Sequence, residues 1–467
     1  MPLSASSPAS SASTRQLSPI RPCSGSNQAQ SRWVKSAMNR RVSSFIAGIL
    51  RRLARAGHRT RGGARAPRCS KRVKSPASIT GCAHMFTVRV VYCRIFMTQI
   101  SRLQGAGPRR LQRSLRLLRN AHDRVRRSDR LNQAGQTPYE VIARHDIISL
   151  RHYPGDADKA LTPLVIVPPL AVNMLIYDLF PQRSLVRHLR DQGFPLYLID
   201  WGRPTRAHAH WRFADYLQDF LPRMLDEVRR HSGQQELSLH GWSLGAMFSY
   251  AYAALGDPHI RNVVLLGPPC DYHAPGGVSF QNRLVSRQMK QIRRLTGWRI
   301  HASRPGMWHV PGWANAMAFK LASPAGTLRG YTALLGRLDD RDYVSEHATH
   351  GAFLDDMVAY PGGVMQDIVQ YLMTDNVLAA GRLPIAQCKA SLADVKANVL
   401  IVVGDKDPIV TPAASRHLIG LMPQAEAELL EAPGGHMSIV SGSQAPRAIW
   451  TPAAAWLRGR STVRRAA

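Results

Sequence analysis

A chain of 467 residues with 45% apolar content can bury a large core, which excludes a short stapled scaffold and favours one big α/β domain with appendages. The formal net charge of +32 is unevenly spread: residues 1–122 hold 24 Lys or Arg and no Asp or Glu, leaving 38 basic against 30 acidic groups in the rest. The charge therefore gives no ground for expecting nucleic-acid binding by the body of the chain.

Cys23, Cys69, Cys82 and Cys93 lie near the N-terminus and only Cys270 and Cys388 in the body, which is neither a disulfide framework nor a metal-ligand spacing. A reducing compartment is expected. No run approaches the roughly 18 apolar residues of a membrane span; residues 88–97 are too short and are broken by Arg89 and Arg94.

Residues 1–96 are rich in Ser, Arg, Pro and Ala without sustained periodicity, so disorder is expected there. The same segment also fits an organelle transit peptide, or a stretch upstream of a true start at Met85 or Met97. Residues 97–134 form a second segment. Over 109–127, Leu111, Leu115, Leu118, His122 and Val125 recur at three- and four-residue steps among arginines, predicting a basic amphipathic helix. Such a helix lies on an anionic or apolar surface, binds a partner, or packs on its own domain.

From residue 135 to 467 the pattern becomes that of a catalytic body. Residues 141–143 and 147–153 read as paired strands at an antiparallel edge. Leu164-Val-Ile-Val167 is a continuous apolar run expected of a strand buried on both faces, and Pro168-Pro169 ends it. Residues 184–192 predict a helix, 196–199 a buried strand, and 213–231 a further helix.

The strand that follows leads into His240-Gly241-Trp242-Ser243-Leu244-Gly245-Ala246, where Gly at minus two and plus two flanks a serine before a small-residue helix. A strand turning sharply into a helix has no room for side chains at those two positions, and the turn lifts the serine hydroxyl above the sheet edge. Residues 262–266 give another strand. Alternation of strands and helices at this pitch implies a mostly parallel sheet with helices on both faces. Residues from about 272 to 394 lack clear strands and hold Trp298, Trp308 and Trp313 in helical stretches, predicting an inserted cap that lines part of an acyl pocket.

The sheet resumes at 398–403, followed by Gly404-Asp405-Lys406-Asp407-Pro408. A carboxylate after a late strand is what a Ser–His pair needs to fix the imidazole tautomer. Asp407 is chosen over Asp405 because it stands at the far end of the turn, just before the apolar restart; Asp405 is expected to be a solvated turn residue. After a last strand at 428–431, Pro433-Gly434-Gly435-His436 places one histidine on a Gly-rich loop, completing the order Ser243, Asp407, His436. The backbone N–H groups of Leu244, after the serine, and of Leu170, in the loop after the 164–167 strand, are the candidate oxyanion donors.

Several stretches together resemble the polyhydroxyalkanoate synthase family, especially the short form that works with an accessory subunit. They are Gly135-Gln-Thr-Pro-Tyr-Glu-Val141, Ile148-Ser-Leu-Arg-His-Tyr153, Asp178-Leu-Phe-Pro-Gln-Arg-Ser-Leu-Val-Arg187, Tyr197-Leu-Ile-Asp-Trp-Gly202 and Gly435-His436 with Ser441-Gly442. The resemblance spans residues from 135 to about 456. It implies an α/β-hydrolase fold with a helical cap, no metal and no cofactor, and chemistry on 3-hydroxyacyl-coenzyme A thioesters, esters or polyesters. It also implies a cytoplasmic enzyme, with an accessory subunit and a polyester granule as the partners to expect. The family's nucleophile, acid and base fall on Ser243, Asp407 and His436.

Three positions depart from the family. Ser243 stands where the synthases have cysteine, Ala246 where the short synthases have a second glycine, and Pro408 where a histidine often follows the acid. A serine forms an oxygen ester, the intermediate of an esterase, so polymer synthesis, ester hydrolysis and polyester depolymerisation all stay open, as does a weakly catalytic granule-binding role.

Overall fold

Short apolar runs become central strands where every residue meets apolar surface on one face or the other. The computed structural model describes residues 108–461 apart from 159, 277, 322 and 323, and in it eight strands form a sheet in the order β1-β2-β4-β3-β5-β6-β7-β8. The expectations for residues 1–96, and for 97–107, lie outside the described residues.

The strands are β1 Glu140–His145, β2 Ile148–Tyr153, β3 Leu164–Val167, β4 Leu196–Asp200, β5 Leu237–Trp242, β6 Ile260–Leu266, β7 Asn398–Gly404 and β8 Glu426–Ala432. β1 pairs with β2 and β2 with β4 antiparallel, and the remaining pairs are parallel. The predicted antiparallel edge is therefore present, with the remaining strands in parallel register.

Side-chain alternation divides the core. Val165, Val167, Leu237, Leu239, Val263, Leu265, Val399 and Ile401 pack on one face, and Leu164, Ile166, Trp242, Val264, Leu266, Leu400 and Val402 on the other. Each such fully buried side chain contributes roughly 1.5–3 kcal/mol relative to exposure. Helix α2, Leu185–Asp191, starts where the Ser184 hydroxyl accepts the Arg187 N–H at 3.1 Å. Helix α3, Leu221–Ser232, ends at Gly233 in the left-handed conformation that glycine adopts without steric cost. The helix after the serine, α4, is Leu244–Ala254 and is buried along its whole length.

Between β6 and β7 the described chain forms no sheet strand. It runs through α5 Ser279–Thr296, α6 Gly312–Leu321, α7 Pro324–Gly336, α8 Arg341–Asp355 and α9 Gly362–Asp367, the last continuing as a π-helical segment Ile368–Thr374. Two asparagines tie these helices to the loop after β3. Asn315 Nδ2 donates to the Ala171 carbonyl at 2.7 Å, and Asn173 Nδ2 to the Phe353 and Asp356 carbonyls at 3.2 and 2.9 Å.

The basic helix, α1, Pro108–Arg126, packs on the turn between α7 and α8, though not by the expected apolar stripe. Leu115 and Val125 on that stripe are exposed, as is His122, while Asn120 and Asp123 are buried. Asn120 Nδ2 donates to the Leu338 carbonyl at 2.9 Å, and Arg341 donates to Asp123 at 2.6 Å. The face that docks was chosen by these fixed polar partners and by Leu117 against Leu131 and Leu334, which helical spacing does not encode.

Candidate active site

The turn from β5 to α4 is dictated by two close approaches. A Cβ on Gly241 would lie 2.5 Å from the Gly245 carbonyl oxygen, and one on Gly245 would lie 2.1 Å from the Val167 carbonyl oxygen. Only glycine fits at either position. Between them Ser243 takes φ 55° and ψ −123°, a conformation that L-residues avoid, and its N–H donates to the Leu266 carbonyl at 2.9 Å.

The loops after β7 and β8 deliver the other two side chains. His436 Nε2 lies 2.9 Å from Ser243 Oγ, and His436 Nδ1 lies 2.6 Å from Asp407 Oδ2. An ionised Asp407 only accepts, so Nδ1–H donates to it and Nε2 is left to accept the Ser243 hydroxyl proton. The second carboxylate oxygen of Asp407 accepts the Ile409 and Val410 N–H groups at 2.8 and 2.9 Å, and its side chain is fully shielded from solvent. Every lone-pair direction that matters is thus occupied, and the carboxylate has one orientation open to it.

Asp405 is exposed, as expected, yet it has a partner. Its Oδ1 accepts the Gly434 N–H at 2.7 Å, and the Lys406 N–H donates to the Gly434 carbonyl at 3.1 Å. The acid loop and the histidine loop are thereby stitched together. Trp242 holds the histidine from the other side: its Nε1–H donates to the His436 carbonyl at 3.1 Å, and the two rings lie 5.3 Å apart. Neither restraint was evident from the sequence; an aspartate two positions before the acid, with a Gly-Gly loop downstream, is the signal that was available.

Ser243, Leu244 and His436 line a cavity of about 230 Å³, walled by cap residues such as Phe319, Tyr360 and Ile368. Leu244 opens α4, so its N–H has no carbonyl one turn behind it inside the helix. Leu170, the other expected donor, does not line this cavity. It is buried in the core and borders a separate small void with Ala171, Trp201 and Gly202, on a loop that Asn315 and Asn173 tie to the cap.

Residues 162–290 and 306–443, more than half of the chain, match the alpha/beta hydrolase fold family, and residues 130–189 match the N-terminus of poly-beta-hydroxybutyrate polymerase (PhaC). The poly(3-hydroxyalkanoate) polymerase subunit PhaC of Haloferax mediterranei is 28% identical over 329 residues, covering 70% of this chain and 65% of that protein. The corresponding subunit of Allochromatium vinosum is 27% identical over 330 residues, covering 70% of this chain and 90% of its own. With the strand order, the elbow between β5 and α4 and these similarities together, the chain belongs to the α/β-hydrolase fold family and is similar to the poly(3-hydroxyalkanoate) polymerases.

Proposed function

We propose that the protein transfers 3-hydroxyacyl groups from thioesters or esters through an acyl-serine formed at Ser243. The observation that carries this reading is the continuous chain from Ser243 Oγ through His436 to the buried Asp407, with separations of 2.9 and 2.6 Å. A serine hydroxyl is a weak nucleophile at neutral pH, so a base poised on its proton is the first requirement.

In this reading Ser243 Oγ attacks the acyl carbon while His436 Nε2 takes its proton. The Leu244 N–H, at the positive end of α4, holds the developing oxyanion. The bond to the leaving thiolate or alkoxide then breaks, and His436 returns the proton to it. Asp407 keeps Nδ1 protonated and stabilises the imidazolium. A second hydroxyl, from a growing chain or from water, repeats the sequence in reverse and releases the acyl group as an ester or an acid. No cofactor enters beyond the coenzyme A carried by a thioester substrate.

Hydrolysis of hydroxyacyl esters or of stored polyester is the second reading, and Ser243 itself favours it. An oxygen ester gains nothing from sulfur-to-sulfur exchange with coenzyme A, and it is the intermediate that water resolves in esterases. Incubation with 3-hydroxybutyryl-coenzyme A, following coenzyme A release while sizing the product, separates the two. Lengthening polymer marks a synthase and free hydroxy acid a hydrolase. No release from this thioester, with p-nitrophenyl esters still cleaved, contradicts a thioester substrate.

A further inference from the structure

Two phenols stand in the cavity beside Ser243 without a part in the transfer chemistry. Tyr272 lies after β6 and Tyr360 immediately before α9, and both line the cavity that holds Ser243 and His436. Among the described residues neither hydroxyl has a hydrogen-bond partner, and neither is among the sealed, unpartnered phenols, which are those of Tyr177 and Tyr216. The cavity is the opening that Tyr272 and Tyr360 share. Burial pushes both phenols up, Tyr360 to about 12, so both are neutral donors at physiological pH.

Both rings are held from the backbone. The Tyr272 N–H donates to Asn376 Oδ1 at 3.0 Å and its carbonyl accepts from Asn282 Nδ2 at 3.1 Å. Tyr360 pairs with Val310 in both directions, at 2.9 and 3.2 Å, and Pro361 follows it. The carboxylate of the same wall is already engaged, since Asp271 Oδ1 accepts from the His273 N–H and from Asn376 Nδ2. The rest of the lining joins Phe319, Ile368 and Val410 to Ser279, Asn282 and Thr411; Asn282 Nδ2 and the Thr411 hydroxyl have partners of their own, which leaves the two phenols as the large unpartnered polar groups of this wall.

We propose that Tyr272 and Tyr360 recognise the 3-hydroxyl of the acyl group, one phenol donating to its oxygen and the other accepting its proton. The cavity then selects 3-hydroxyacyl groups over unsubstituted acyl groups of the same length. This assignment rests on the reading of Ser243 as the residue that accepts the acyl group. An apolar pocket discriminates weakly against an added or missing hydroxyl, whereas a pocket that carries buried donors leaves them unpaired when the hydroxyl is absent.

The test is the ratio of kcat/KM for 3-hydroxybutyryl and butyryl p-nitrophenyl esters in the full chain and in Tyr272→Phe, Tyr360→Phe and the double variant. Fluorophosphonate labelling of Ser243 serves in parallel as the check on folding. The wild type is expected to prefer the hydroxy ester, each single variant to lower that ratio roughly fivefold, and the double variant to bring it near one. If Tyr272→Phe fails to fold, Tyr360→Phe carries the same expectation alone. An unchanged ratio in variants that still label, or a wild type that labels but shows no preference, overturns the assignment while leaving the acyl-serine intact. A wild type whose Ser243 does not label overturns the acyl-serine reading, and this one with it.

Discussion

Ser243 sits at φ 55° because the strand must turn into the helix at that residue. A non-glycine residue held there stores about 1–3 kcal/mol of strain. Ser243→Ala retains the strain and removes the hydroxyl, whereas Ser243→Gly removes both. Glycine ordinarily destabilises relative to alanine; at this position Ser243→Gly is expected to be the more stable of the two by about 1 kcal/mol, measured by urea unfolding. Both variants are expected to lose esterase activity by a factor on the order of 10³ or more. A less stable glycine variant would mean that the turn is not strained.

His240, three positions earlier, is buried with its Nδ1 unpartnered, and burial lowers its pKa from 6.5 to about 4. Between those two values the unfolded chain binds a proton that the folded chain does not, so folding stability rises with pH across that window and is lost as pH falls from about 6.5 toward 4. The full contribution is on the order of 3 kcal/mol. Replacing His240 with Leu removes this titration, so the gap in urea midpoint between wild type and His240→Leu is expected to widen in the leucine variant's favour as pH drops from 7 to 4.5. A constant gap would place the His240 proton elsewhere.

At the scale of elements, the elbow is fixed by backbone meeting backbone. The Gly245 Cα faces the end of β3 so closely that a methyl group would lie 2.1 Å from the Val167 oxygen and 2.6 Å from the Pro168 carbonyl carbon. Neither neighbour has a flexible end to move aside. Gly245→Ala is therefore expected to destabilise the protein by about 3 kcal/mol or more, read from chemical denaturation. Gly420, in the helix Pro412–Leu421 with open space around its Cα, is the control glycine, where alanine is expected to be tolerated.

The strands that carry the elbow were legible in the sequence because their signals are local. β3 is bounded by Pro168-Pro169 and matches the run 164–167 residue for residue, β7 is likewise an apolar run ended by glycine, and β5 is an alternating run that leads into the Gly-flanked serine. Ser243, Asp407 and His436 were likewise marked by what stands next to each. The docking face of the basic helix was not legible, since Asn120 and Asp123 turn inward only because Leu338 and Arg341 wait for them more than two hundred positions later. Tyr272 and Tyr360 were missed for the same reason: each is unremarkable in its own segment and they meet only in the folded cavity. The tie between the loop of Leu170 and the cap was not legible either, since Asn315 and Asn173 make it with partners 144 and 180 positions away.

At the scale of the whole described domain, one sheet separates two apolar clusters, and the triad groups stand on the loops that leave β5, β7 and β8. The strands that lead to Ser243 and Asp407 are buried almost throughout, whereas β8, which leads to His436, is the half-exposed edge of the sheet. The cap helices between β6 and β7 supply the walls of the cavity, with Phe319 from α6 and Ile368 from the segment after α9. On the proposed function the division is one of labour, with the reacting groups on the sheet loops and the cap against the rest of the acyl chain. Among the described residues no helix is long and apolar enough to cross a membrane.

The most direct test of the acyl-serine is to mix the protein with 3-hydroxybutyryl-coenzyme A, quench in acid during turnover, and map the peptide containing Ser243 by mass spectrometry. The account predicts a hydroxybutyryl adduct on Ser243 in the wild type that forms far more slowly in His436→Gln, which lacks the base for the attack, and is absent in Ser243→Ala. Coenzyme A release that continues in Ser243→Ala, with no adduct on Ser243 in the wild type, would contradict it.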